Sequence, residues 1–128
     1  MIIDSSAVLA VLFGETDAET YEKSIATASP CRMSVANVVE TSIVVESRGG
    51  AAAGHELDVF LERAGIELIP VTIEHLEAAR QAWRRFGKGN HPAALNFGDC
   101  FAYALAKVEN EPLLFKGDDF TRTDVEAA

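Results

Sequence analysis

The chain has 128 residues, 48% of them apolar, which suits one domain with a real core and excludes a disordered polypeptide. No apolar run approaches the ~20 residues that cross a bilayer, and the start Met1-Ile2-Ile3-Asp4 lacks a basic signal segment, so we expect a cytoplasmic protein. The net charge of −9 argues against nonspecific nucleic-acid binding unless the basic residues are concentrated in one place.

The predicted elements alternate between short apolar strands and longer helices. In chain order we expect a strand at 1–4, helices at 5–13, 17–28, 34–48 and 52–64, a strand at 66–69, helices at 72–86 and 96–110, and a strand at 113–115. Glycines at 14, 49–50 and 117 end elements. This alternation predicts an α/β fold, a single domain over 1–128 whose parallel sheet is covered by helices on both faces.

Acidic residues follow the first and last predicted strands. Asp4 ends the first strand, and Asp118 and Asp119 closely follow the last one. In open parallel sheets, ligands bind outside the carboxyl ends of the strands. These acids therefore fall where a site is expected.

Two further acids lie among apolar helical neighbours. Glu40 has Ile43 and Val44 three and four positions away, and Asp99 has Ala102 and Tyr103. Either acid alone has a plain explanation: Glu40 could reach water from the edge of an apolar face, and Asp99 could be favoured by the positive end of its helix. An unpaired buried carboxylate, in contrast, is costly or takes up a proton.

Four acids at one end of a sheet would repel each other unless cations lie between them. Oxygen-only ligands suit Mg²⁺ or Mn²⁺, and such ions assist phosphodiester cleavage. No competing nucleophile is evident, because we interpret the cysteines at 31 and 100 as buried thiols and the histidines at 55, 75 and 91 as surface residues. The residues thus predict a metal-dependent nuclease.

Four segments carry a resemblance to a known family. They are MIIDSSA (1–7), SVANVVE (34–40), NFGDCFAYA (96–104) and LLFKGDDF (113–120), and they span nearly the whole chain. In this order they resemble a PIN-domain ribonuclease, and more narrowly the VapC type of toxin from bacterial toxin–antitoxin pairs.

The resemblance implies an endoribonuclease, often acting on transfer RNA, that depends on Mg²⁺ or Mn²⁺, forms homodimers and is blocked by a cognate VapB-like antitoxin. Asp4, Glu40 and Asp99 match the family's acids, with Asp4 and Asp99 as metal ligands, and Ser6 matches its small polar residue beside the metal. Many members have Thr-x-Asp after the last strand, where this chain has Phe-Lys-Gly before Asp118.

That departure leaves the fourth acid open between Asp118 and Asp119. We prefer Asp118, which lies nearer the strand end, and keep Asp119 as an additional candidate.

The densest group of basic residues is Arg80, Arg84, Arg85 and Lys88, with Trp83 among them. It is either an ordinary solvated helix face, with Trp83 in the core, or a strip that holds RNA phosphates. The second interpretation would partly answer the objection from net charge.

Three rival interpretations remain. A haloacid-dehalogenase-type phosphatase would also place Asp4 after the first strand, but it needs a second Asp where this chain has Ser6. A response-regulator receiver needs an acceptor Asp after a central strand, and the strand at 66–69 ends in proline. A non-catalytic interaction module would have no need of acids at all the matching positions.

Overall fold

The computed structural model describes residues 1 to 128 and places a four-stranded sheet between helical layers. In chain order the elements are β1 (Ile2–Ile3), α1 (Ser5–Leu12), α2 (Ala18–Thr27), β2 (Cys31–Ser34), α3 (Val35–Arg63), β3 (Ile66–Ile69), α4 (Ile73–Phe86), α5 (Phe97–Glu109), β4 (Leu113–Leu114) and a 3₁₀ helix (Asp119–Arg122). No helix combines the length and the apolar character needed to cross a membrane.

All strand pairs are parallel, and the spatial order is β3-β2-β1-β4. The chain builds outward from β1 through β2 to β3, and then crosses back to lay β4 on the other side of β1. The strand order therefore reverses between β1 and β4, where Ile3 pairs with Leu114. The crevice outside the carboxyl ends of two such strands is the usual ligand site of an open α/β sheet.

Two separate cores hold the sheet. Successive strand residues face opposite sides, so Ile2 and Leu113 pack with α4 and α5, whereas Ile3 and Leu114 pack with α1, α2 and α3. All four side chains are buried. The predicted fold class, a parallel sheet covered on both faces, is confirmed.

The break predicted at 49–50 is present as a kink inside α3, where Gly50 has φ 67° and ψ −163°. The strand β2 was not predicted from the sequence. Its second residue, Arg32, is a partly buried cation on this inner strand. Glu67, Glu109 and Glu111 bind it at 3.3, 3.8 and 3.0 Å.

Both cysteines are buried free thiols, as predicted. The prediction of a surface position is wrong for His75, which is buried. Its backbone N–H donates to Thr72 Oγ1, and its Nδ1 accepts from the Thr72 N–H. This reciprocal pair caps α4, so the structure accounts for His75 as part of a helix start.

Candidate active site

Asp4 follows β1 directly and is the N-cap of α1. Its Oδ2 accepts hydrogen bonds from the backbone N–H and the hydroxyl of Ser6, the N–H at 3.0 Å. Its Oδ1 is buried and has no hydrogen-bond partner. Burial raises the pKa of the Asp4 carboxyl, the hydrogen bonds from Ser6 oppose this rise, and the charge of Glu40 adds to it, so that the pKa is about 6.

Asp99 lies in the first turn of α5 and is also buried. It forms a capping box with Asn96: the Asp99 N–H donates to Asn96 Oδ1 at 2.9 Å, and the Asn96 N–H donates to Asp99 Oδ2 at 3.0 Å. Burial raises the pKa of Asp99 to about 7, and the charges of Asp4, Asp119 and Glu40 add to this rise. The three predicted acids Asp4, Glu40 and Asp99 thus act on one another electrostatically.

Glu40 stands one and a half turns into α3, and the start of α5 holds it in place. Asn37, fully buried one turn earlier, donates its Nδ2 to Glu40 Oε1 at 3.3 Å and to the Gly98 carbonyl at 2.9 Å. A Cβ added to Gly98 would collide with the Glu40 carboxylate. Glycine at 98 therefore leaves the space that this carboxylate occupies, next to Asp99 in the chain.

The two candidates for the fourth acid differ in their surroundings. The charge of Asp119 is one of the main contributions that raise the pKa of Asp99. Asp118 precedes the 3₁₀ helix, and its carbonyl accepts the Thr121 hydroxyl at 2.6 Å. Both residues are exposed. The electrostatics favour Asp119, although from the sequence we preferred Asp118.

Ser6 ties the end of β4 to Asp4. While its hydroxyl donates to Asp4, its Oγ accepts the Lys116 backbone N–H at 2.9 Å. The Lys116 ammonium is held by Glu15 and by Asp17, the latter at 2.9 Å. The Lys116 charge is therefore neutralised close to the acids rather than left free for a ligand.

The side chains present fit a hard divalent cation. Asp4 offers an unpartnered buried oxygen, and Asp99 is a second buried carboxylate within electrostatic reach of it. No three His, Cys, Asp or Glu side chains converge closely enough to enclose an ion by themselves. Mg²⁺ keeps several waters and is commonly bound through one or two carboxylates, so the pair Asp4 and Asp99 suffices.

The basic residues predicted from the sequence do not share one environment. Arg85 pairs with Asp124 at 3.3 Å, and Arg80 approaches Glu77 at 3.9 Å. Arg84 and Lys88 form no salt bridge and line a groove between α4 and α5. Because α4 ends at Phe86, Lys88 lies beyond the helix but still reaches this groove.

Sequence reasoning missed Asn37, Asn96 and Gly98 as parts of the site. Asn96 begins the helix predicted at 96–110, but no local pattern indicates that it holds Asp99. Asn37 carried a signal, since it is a polar residue on the same apolar helix face as Glu40, one turn away. Nothing in the sequence indicates that the Glu40 carboxylate fits in its place only because residue 98 has no side chain.

Comparison with known proteins gives consistent matches over nearly the whole chain. The PIN domain family model matches residues 1–126. The chain is 53% identical over 127 residues to "Ribonuclease VapC" of Mycolicibacterium smegmatis, covering 99% of this chain and 98% of that protein. It is 48% identical over 125 residues to "Ribonuclease VapC30" of Mycobacterium tuberculosis, covering 98% and 95%.

Solved structures share the fold at low sequence identity. The crystal structure of Mycobacterium tuberculosis VapC20, described as a sarcin–ricin loop cleaving toxin, aligns with a TM-score of 0.80 at 17% identity, covering 99% of this chain and 97% of that one. VapBC2 of Rickettsia felis, bound to a DNA fragment from its promoter, aligns with a TM-score of 0.75 at 16% identity, covering 98% and 94%.

The raised pKa values predict how the stability of the metal-free protein depends on pH. An aspartate titrates near 3.9 in an unfolded chain, whereas Asp4 and Asp99 titrate at about 6 and about 7 in the folded one. Between these values the folded state binds more protons than the unfolded state. These two groups therefore lower the free energy of unfolding as pH rises from about 4 to 7.

Urea denaturation in EDTA at a series of pH values measures this effect. The matched variant Asp99→Asn keeps the size of the side chain and cannot ionise. Its stability relative to wild type should increase as pH rises through this interval, by up to about 1.4 kcal/mol per pKa unit removed. A stability difference that is constant from pH 4 to pH 7 would show that the Asp99 pKa is not raised.

Proposed function

The chain belongs to the PIN domain family, and we propose that it is a VapC-type toxin, an endoribonuclease that uses Mg²⁺ or Mn²⁺ at Asp4 and Asp99. The observation that carries the proposal is the buried, unpartnered Oδ1 of Asp4 beside a second buried carboxylate at the β1–β4 switch point. Two relatives about half identical to this chain carry the name ribonuclease VapC. RNA, including transfer RNA, is the proposed substrate.

Each residue of the site has a distinct task in this proposal. Asp4 and Asp99 would hold the divalent ion, which supplies a Lewis acid and an activated water for phosphodiester hydrolysis. Ser6 fixes one oxygen of Asp4, and the Asn96 N–H fixes one oxygen of Asp99. A cation here would also reverse the electrostatics that raise both pKa values, so ion binding should release protons.

The proposed function predicts that RNA cleavage depends on a divalent metal ion. Purified protein is incubated with total RNA in Mg²⁺, in Mn²⁺ or in EDTA, and the cleavage ends are sequenced. We expect cleavage only with the ion. Asp99→Asn should cut at least ~100-fold more slowly, because even partners that merely orient a metal ligand contribute ~10–100-fold.

A readout independent of cleavage accompanies this assay. The melting temperature of the wild type should rise with added Mg²⁺, whereas that of Asp99→Asn should not. Wild-type cleavage at an unchanged rate in EDTA would exclude metal dependence. No cleavage of any RNA, with normal folding, would favour the non-catalytic interaction module.

The fourth acid is tested by two neighbouring substitutions. Asp119→Asn should reduce cleavage more than Asp118→Asn, because the Asp119 charge is one of the main contributions that raise the pKa of Asp99. Both residues are exposed, so neither change should affect folding by more than about 0.5 kcal/mol. Cleavage rates of the two purified variants decide the assignment, and a larger loss for Asp118→Asn would restore the preference drawn from the sequence.

Glu40 depends on Gly98 for its position, which makes Gly98→Ala a test of the geometry without removing any charge. The new methyl group would displace the Glu40 carboxylate, and a displacement of about 1 Å at a reacting centre can cost ~100-fold in rate. The matched control is Gly54→Ala, where the added Cβ also meets a glutamate, Glu46, remote from the site. Equal cleavage rates of both variants would show that cleavage does not depend on the exact position of the Glu40 carboxylate.

We propose a VapB-like antitoxin as a protein partner of this toxin. One of the structures with this fold is described as VapBC2 and another as a toxin–antitoxin complex from Klebsiella pneumoniae. A physical argument supports the same partner here: a cleft of buried carboxylates attracts a cation, and an inserted arginine could bind two of them with a bidentate guanidinium. Such an arginine would compete with the metal ion and block cleavage.

We propose that a second copy of the chain packs on α3. Val39 and Ile43, one turn apart, are 58% and 64% exposed, an unusual exposure for two neighbouring aliphatic side chains. Ile43→Asp should therefore shift the wild-type homodimer toward the monomer in light scattering. Leu68→Asp, at an exposed apolar position on β3, is the control. A wild type that is monomeric at high micromolar concentration would contradict the dimer.

A further inference from the structure

A groove between α4 and α5 combines apolar walls with a basic rim. It encloses about 660 Å³, within the range of pockets that hold a small ligand. Its lining includes the aromatic side chains of Trp83, Phe97 and Phe101, with Arg80, Arg84 and Lys88 around them. Two of the aromatic residues are unusually accessible, Trp83 at 51% and Phe97 at 81% exposure.

The charge of this groove is opposite to that of the protein. The chain has 20 acidic and 11 basic residues, yet the lining of the groove contains three basic residues and no acidic one. Arg84 and Lys88 have no salt-bridge partner, and Arg80 has only the distant Glu77. Free cations beside exposed aromatic rings favour an anionic ligand that also has flat apolar surfaces.

One end of the groove borders the turn that holds Asp99. Asn96 and Phe97 belong to its lining, and Asn96 also holds Asp99 in place through the capping box. A ligand that lies along Trp83 and Phe97 would therefore reach the carboxylates without leaving the protein surface. The molecule bound in the groove should therefore be part of the same molecule that binds at the active site.

We propose that this groove binds single-stranded RNA next to the scissile bond, with bases stacked on Trp83 and Phe97 and phosphates paired with Arg84 and Lys88. The proposal rests on the proposed ribonuclease function for the identity of the strand. Exposed aromatic rings flanked by cations are the usual platform for unpaired bases, and base pairing would hide those faces. A second copy of the chain in this groove fits less well, because a symmetric contact here would bring like charges together. The copy proposed on α3 would cover the adjoining cleft, which Val39 and Ile43 line together with Phe97. Trp83, Arg84 and Lys88 do not border that cleft.

The chain's single tryptophan makes the proposal directly measurable. Trp83 fluorescence is recorded in EDTA, where no cleavage interferes, while a short single-stranded RNA of mixed sequence is added. Stacking of a base on the indole should quench the fluorescence. Poly-glutamate of similar length supplies negative charge without bases and should not quench it.

Affinity is measured in parallel by the anisotropy of a fluorescein-labelled RNA. Trp83→Ala and Phe97→Ala should each weaken binding by about fivefold or more, whereas Trp83→Phe, which keeps an aromatic ring, should retain most of the affinity. Leu68→Ala, an exposed apolar residue on β3, is the matched control. Phe97 is so exposed that its variant should fold normally even if the Trp83 variant does not. Because Phe97 also borders the Val39–Ile43 cleft, light scattering checks that its variant keeps the oligomeric state of the wild type.

The cations are tested through salt dependence. The double variant Arg84→Ala, Lys88→Ala should lower the slope of log affinity against log salt by about 0.7 for each phosphate that the protein no longer neutralises. Arg85→Ala should leave the slope unchanged because Arg85 pairs with Asp124. Arg63→Ala, on the far end of α3, is the control for net charge.

The outcomes separate this proposal from the nuclease itself. Wild-type cleavage together with unchanged RNA affinity in Trp83→Ala and Phe97→Ala would refute RNA binding in the groove, and the proposed nuclease function would still hold. Quenching by RNA in a protein that cleaves none would support the groove and overturn the nuclease. Equal quenching by poly-glutamate, or a blue shift that follows protein concentration without RNA, would assign the groove to an acidic peptide or to a second copy and overturn the proposal.

Discussion

The burial of Asp4 is the constraint on which the rest of the site depends. A carboxylate at the end of the central strand β1 loses its hydration, and Asp99 and Glu40 add negative charge nearby. Ser6 satisfies one oxygen, and the other has no partner. An isolated buried charge is among the most destabilising features of a protein interior, so the metal-free site favours protonated carboxyls. In the proposed function, a bound cation would supply the electrostatic stabilisation that burial removes.

Small hydrogen-bonding residues, rather than opposite charges, hold these acids. Ser6 and Asn37 each bind one acid and one backbone group of another segment, and so join the acid to a neighbouring part of the fold. Asn96 instead holds Asp99 within the first turn of α5. A lysine or arginine in the same place would neutralise the acids and compete with a metal ion. Neutral donors fix the orientation of the carboxylates and leave their charge available. The two cores on either side of β1 supply the rigidity that makes such weak contacts sufficient.

The sequence was most informative where the polarity of a residue differed from that of its neighbours. Asp4 and Asp99 are acids in apolar runs, and this difference correctly predicted that they are buried. Asn37 and Gly98 escaped notice because their roles depend on a contact across 61 residues, which no local pattern contains. The interpretation of Arg85 as an RNA contact had the same weakness, since its partner Asp124 is 39 residues away. Local patterns thus predicted most of the elements and the burial of Asp4 and Asp99, whereas β2 and the supporting contacts required the assembled fold.

The positions of the basic residues reconcile an acidic chain with an anionic substrate. Three glutamates pair with Arg32 on the inner strand β2. Glu15 and Asp17 pair with Lys116, and Asp124 pairs with both Arg85 and Lys107. These pairs are structural, and most of them lie away from the α4–α5 groove. Arg84 and Lys88, in contrast, lie on that groove without acidic partners. At physiological salt, electrostatic interactions are screened over about 8 Å. A phosphate near the groove therefore interacts with the local positive charge more strongly than with the net negative charge of the protein. In this way a strongly acidic protein can present a positive path to its own acidic site.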